Sequence, residues 1–317
     1  MSYGDLWQHA LHLEELAMKA ALDEKGFVLV DGQYISLQDS NPVPADIIRF
    51  LRADFEGLAE LFEPFLNLPD PEVLGMMHRE LRTAAEALSS GSGSFDPSRG
   101  VVMPPNFEMA SMETVGKTIF EWQGFAARQF ESTFVEPWKD RVAAQFSLVA
   151  TLMAAIEAEQ ALWTACRNNV DELAHQAINA FVSMNSFDTD QQVFWLSAAA
   201  AVLSIGSVVT SGGAAIAFTV AGGITQVAGT ALDKFSGEGP AVLFDAKTPR
   251  ALVEQIRQAL YQLTYIVLER EHAIAEAMLV TSETLATQRD LFAFPRPALA
   301  DQTSRTILTS DGLGHNV

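Results

Sequence analysis

The sequence predicts an all-α protein: an elongated helical bundle with long antiparallel helices, an apolar Gly/Ala-rich helical hairpin and one small β-hairpin. Three observations carry this prediction. Phe134, Trp138, Val142, Phe146, Val149, Met153, Ile156, Trp163, Cys166, Val170 and Leu173 recur at spacings of mainly three and four, the period of a buried helical stripe. Leu252, Ile256, Leu260, Leu263, Val267 and Ile274 repeat that spacing further on. Between the two stripes, the stretch from Val193 to Leu232 contains no charged residue and no histidine.

The elements follow in order. Residues 3–22 read as an amphipathic helix with Leu6, His9, Leu13, Leu16 and Met18 near one face. Two short β-rich runs then flank Asp31-Gly32, a pair suited to a type I′ turn, and predict a hairpin over 27–37. Helices are expected at about 45–66 and 70–89. The second has Asp70 placed to cap it and Pro71 as a natural first residue. The Ser- and Gly-rich run "SSGSGSFDPSRG" is a loop by composition. A helix from about 107 leads to Trp122-Gln123-Gly124, and the longest stripe predicts a helix over 138–182 that Pro137 starts or kinks. The last long helix is expected over 249–287. This gives a helical region at 1–92 with the β-hairpin, a long-helix bundle at 104–290 and a flexible tail at 295–317.

Composition limits the function classes. A net charge of −20 disfavours nucleic acid, whose phosphates would repel the chain. A lone cysteine, Cys166, excludes an internal disulfide, and its place on the apolar stripe reads as a packed thiol. The first residues, "MSYGDLWQHALHLEEL", lack a basic segment followed by an apolar run, so a cleaved secretion signal is not expected. His9, His12 and Glu15 have helical spacing, but no further histidine lies nearby in sequence, and packing is the expected role. His175 and His272 stand alone in predicted helices. No nucleophile elbow, His-Glu-x-x-His or phosphate loop occurs. The expectation is a non-enzymatic chain with no cofactor and no metal.

At Trp122-Gln123-Gly124 the largest side chain stands beside the smallest. Glycine can adopt positive φ and end a helix, while a neighbouring tryptophan can lie across the joint. The surrounding "FEWQGFAARQFESTF" resembles the helix-turn-helix of the WXG100 family, the small helical substrates of type VII (ESX) secretion, over about residues 107–182. That family's system also uses a Tyr-x-x-x-Asp/Glu export signal, and Tyr265 to Glu269, "YIVLE", is similar in form. Spacing of i,i+4 puts the Tyr265 phenol and the Glu269 carboxylate on one helix face. The resemblance implies secretion without a cleaved signal, with cytoplasmic residence as the alternative. It also implies a protein partner, or self-association, through helices.

The uncharged stretch divides at Ser211-Gly212-Gly213 into two runs. Each is close to the length that spans a bilayer, and Trp195, Ile205, Ile216, Phe218 and Val220 are its bulky apolar positions. Asp188, Asp190 and Asp233 flank it, an unfavourable arrangement for a resident anchor. Either the stretch is core, or it is hidden in water and inserts on a trigger. The order long helix, apolar hairpin, long helix resembles the layout of α-helical pore-forming toxins of the haemolysin E type. A membrane-perturbing toxin component, or a cytosolic helical adaptor, is therefore the alternative function.

Overall fold

From Trp138 to Ser183 the chain contains neither glycine nor proline and is rich in alanine, so nothing local interrupts a helix there. In the computed structural model this segment is one continuous helix. The structure describes residues 3–90, 94–96, 101–118, 125–184, 192–195, 241–295, 303 and 305. Most of it is helical. The elements in chain order are α1 (Leu6–Glu24), β1 (Phe27–Val30), β2 (Gln33–Ser36), α2 (Ala45–Ala53), α3 (Pro71–Leu88), β3 (Phe95–Asp96), β4 (Val101–Val102) and α4 (Phe107–Thr118). They continue with α5 (Phe125–Phe130), α6 (Trp138–Ser183), β5 (Gln192–Trp195), β6 (Ala241–Phe244), α7 (Pro249–Thr287) and α8 (Arg289–Phe292).

The chain divides into two compact units, each discontinuous in sequence. The first takes the residues up to Pro71, α6 from Glu159 onward, β5 with β6, and α7 as far as His272. Leu6, Ala10, Leu13 and Ala17 form the buried face of α1; of the face predicted from the spacing, Leu6 and Leu13 are buried, while His9, Leu16 and Met18 are half-buried. A 3₁₀ segment, Ala59–Phe65, lies against α1 and buries Phe62 and Phe65. The expected single helix over 45–66 is thus split. α2 ends at Ala53, Gly57 takes φ +90, and Pro64 lies inside the tighter turn that follows. The predicted hairpin forms with Phe27 opposite Ser36 and Val30 opposite Gln33. Asp31 and Gly32 both have positive φ, 48° and 82°, as a type I′ turn requires.

The second unit holds α3 from Glu72, α4, α5, α6 up to Ala158, and the chain from Ala273. Its core groups Ala85, Met103, Phe146, Ala150 and Met153, with Leu81, Leu88 and Val149 packed alongside. The loop expected from "SSGSGSFDPSRG" carries β3, which pairs with β4 just beyond the loop, and periodicity cannot reveal strands of two residues. Asn106 caps α4 by accepting a hydrogen bond from Glu108 N at 2.8 Å. Ahead of α6 the chain winds as a π-helical turn, Glu131–Val135, and Pro137 then stands just before the first residue of α6. Pro137 therefore starts the long helix and does not kink it. Phe134, Trp138 and Phe294 pack as a cluster with ring centroids 4.6–5.4 Å apart, and the Arg141 guanidinium lies 4.9 Å from the Phe294 centroid.

α6 has 46 residues and α7 has 39. At about 1.5 Å per residue α6 is roughly 69 Å long. α7 starts as its sequence dictates: Thr248 Oγ1 accepts from Ala251 N at 3.3 Å, and Pro249 is the first helical residue. Leu252, Ile256, Leu260, Leu263, Val267 and Ile274 are all buried.

A second sequence expectation is corrected as well. The apolar hairpin was placed from Val193 in helical conformation, but Gln192–Trp195 is a strand, paired antiparallel with Ala241–Phe244. Trp195 therefore belongs to β5, opposite Ala241, and not to a helix. Val193, Phe194 and Trp195 are β-branched or aromatic, and a run this short takes the form that its partner strand offers. Ile205, Gly212, Gly213, Ile216, Phe218 and Val220 lie outside the described residues, as do Trp122, Gly124 and most of the tail beyond Pro295.

Candidate functional site

α7 turns a buried stripe inward, so the side chains between those positions face water. Leu263, Ile266 and Val267 are buried, whereas Tyr265 is 61% exposed and Glu269 is exposed as well. Tyr261 and Leu268 are also exposed on α7. The i,i+4 pair foreseen from sequence thus presents its phenol and carboxylate to solvent, with two further apolar side chains exposed close by in sequence.

The helices on either side of the Trp-Gln-Gly joint are both present as α4 and α5. Gly116 on α4 lies against the residue that ends the π-helical turn: a Cβ at Gly116 would meet Val135 Cγ1 at 3.5 Å. The chain therefore folds back on itself between α4 and the segment after α5. Ala127, on α5 just after the joint, is buried.

His12 and Glu15 do not form a group with His9. His12 Nδ1 stands 3.7 Å from Glu15 Oε2 on the exposed side of α1. His9 points the other way, toward Asp171 and His175 on α6. Sequence reasoning treated His175 as isolated. The signal available was the Asp171–His175 spacing of i,i+4, which puts both side chains on one face of α6. His9 comes from α1, far away in sequence.

Further along α6, Trp163 Nε1 donates to Glu159 Oε2 at 2.8 Å. Burial raises the Glu159 carboxyl above its ordinary range, the Trp163 hydrogen bond opposes this, and the Glu271 charge adds to it. Burial also pushes the Cys166 thiol up to about 12, with Glu271 reinforcing and Arg167 opposing. A thiol so protonated and so fully buried is a packing group and not a nucleophile. A cleft of about 310 Å³ lies between Ala21, Lys25, Phe50, Asp54 and Arg250, and the Arg250–Asp54 ion pair closes one side of it.

Among the described residues one helical run, Ala127–Ser183, is long and apolar enough to cross a bilayer by length and composition. More than half of its most apolar window is buried inside the protein, as in a core helix. No family model, curated protein or solved structure matches the chain.

Proposed function

We propose that this protein is a non-enzymatic, type VII (ESX)-like secreted or secretion-associated protein, built on long antiparallel helices and acting through helix packing. What carries the reading is the exposure of Tyr265 and Glu269 one turn apart on a helix whose opposite stripe is buried. A recognition signal on a helix must offer its groups to a partner without unfolding the core, and this pair does so. The return of the chain between α4 and Val135 adds support, because the Trp-Gln-Gly joint stands between those segments. The export machinery would read the Tyr265/Glu269 face, and the protein would leave the cell without a cleaved signal. In a host that carries a type VII system, the wild-type chain is expected in the culture medium. The Tyr265→Ala/Glu269→Ala variant should stay in the cells with an unchanged circular dichroism spectrum, while Tyr261→Ala is exported normally. Normal export of the folded double variant would exclude the role of this pair.

A second reading, a membrane-perturbing component, is favoured by the strand pair β5–β6. It joins the start of the uncharged stretch to Ala241–Phe244, which lies beyond the end of that stretch and ahead of α7. Protonated Asp188, Asp190 and Asp233 enter lipid more readily than the ionised forms. Flotation with liposomes is accordingly expected to be stronger near pH 5 than at pH 7, and Ile216→Asp with Val220→Asp should abolish it in a folded protein. Absence of wild-type flotation at both pH values would assign the stretch to the core.

A further inference from the structure

We infer that His9, Asp171 and His175 form a zinc site that fastens α1 to α6. The three residues each present one donor atom within 4.8 Å of the other two. All belong to the same compact unit. Two come from successive turns of α6 and one from α1, so the chain supplies them from two rigid elements rather than from a loop.

The spacing decides between a metal site and an ordinary ion pair. His9 Nδ1 stands 3.5 Å from Asp171 Oδ1. An imidazolium donating to a carboxylate closes to about 2.8 Å. Neither atom has a hydrogen-bond partner, although both are buried. Leaving two such atoms unsatisfied is costly, and a direct hydrogen bond would need only a small approach. Two donors at about 2.1 Å from a tetrahedral zinc ion stand about 3.4 Å apart, which is the separation found.

The second histidine is held as metal ligands usually are. His175 Nδ1 lies 2.7 Å from the Asp171 carbonyl oxygen. A carbonyl only accepts, so Nδ1 carries the proton, and Nε2 is the ring nitrogen that a metal would take. The two imidazoles meet edge to face with centroids 4.4 Å apart. The side chains of His9, Asp171 and His175 are 12%, 18% and 24% exposed, so an ion can reach them while most of their surface is protected. Two imidazoles and one carboxylate suit Zn²⁺, with water in the fourth position. The site would restrain the N-terminal helix; no reaction is attributed to it. It is independent of the export reading, which involves only the exposed face of α7.

The test uses the full chain after chelator treatment, with zinc titrated against a colorimetric competitor. Uptake of about one equivalent is expected, together with a rise of several degrees in melting temperature. Cobalt in place of zinc should give the visible absorption of a tetrahedral nitrogen- and oxygen-ligated ion. His9→Gln and Asp171→Asn should each weaken zinc binding by about tenfold or more, and His12→Gln should leave it unchanged. If His9→Gln does not fold, His175→Gln takes its place, and the wild-type stoichiometry and cobalt spectrum still decide. The inference is overturned if the wild-type protein takes up no zinc at micromolar concentration. It is equally overturned if folded Asp171→Asn binds zinc as the wild type does, or if His12→Gln removes binding to the same degree.

Discussion

Phe146→Ala is expected to lower the unfolding free energy by about 3–5 kcal/mol, the largest effect of any single truncation proposed for the second unit. Phe146 is 0% exposed and lies in a cluster with Ala85, Met103, Ala150 and Met153. Apart from Met103, its neighbours in the cluster sit on regular helices, so they can collapse only partly into the space left behind. The loss therefore contains a cavity contribution as well as the transfer of the ring to water. Val149 is only partly buried beside the same cluster, and Val149→Ala should cost much less. Denaturant midpoints at constant m-value measure both changes. A shift for Phe146→Ala below about 1 kcal/mol would mean that this cluster is not the core of the unit.

The second large effect is expected at Arg167, in the first unit. Arg167 Nη2 donates to the Leu68 carbonyl at 2.8 Å, and Nη1 lies 3.6 Å from Asp70 Oδ1. The guanidinium stands 4.8 Å from the centroid of the Tyr3 ring. Tyr3 in turn accepts from Leu68 N at 3.3 Å and donates to the Phe65 carbonyl. One side chain on α6 thus gathers the start of the chain and the segment that leads into α3. Arg167→Ala should cost about 2–4 kcal/mol, mainly the charged hydrogen bond and the cation–π contact. The exposed ion pair adds little. Arg167→Lys keeps the charge but cannot fork and stack at once, and should recover less than half of the loss. A spectroscopic readout isolates the local contact. Burial raises the Tyr3 phenol, while the Leu68 hydrogen bond and the Arg167 charge lower it. Removal of Arg167 should therefore move the Tyr3 titration further upward. A downward or absent shift would mean that the stacked geometry does not hold in solution.

The failures of the sequence reading have identifiable causes. The helix expected over 45–66 breaks because Gly57 adopts φ +90 and Pro64 lacks an amide hydrogen, and the apolar spacing continues across both without registering them. The strand Gln192–Trp195 is too short for a period, and its partner stands beyond a long intervening stretch. Asp70 was read as a helix cap, and its carboxylate also faces Arg167, a pairing that local sequence could not disclose.

By itself the sequence determined the long elements of this protein. α6, α7 and the first hairpin follow from apolar spacing, from the absence of glycine and internal proline, and from Asp31-Gly32. These preferences act among neighbours a few residues apart, so they are written in any local window. The exposure of Tyr265 and Glu269 follows in the same way, because a buried stripe fixes which positions of a helix face water. Only the tertiary structure decided that His9 meets Asp171 and His175, that Arg167 clasps Tyr3, and that β5 pairs with β6. Each of these joins residues that are distant in the chain. Such a contact exists because the burial of separate apolar faces brings two elements together, and no short-range preference encodes which side chains will then stand opposite each other.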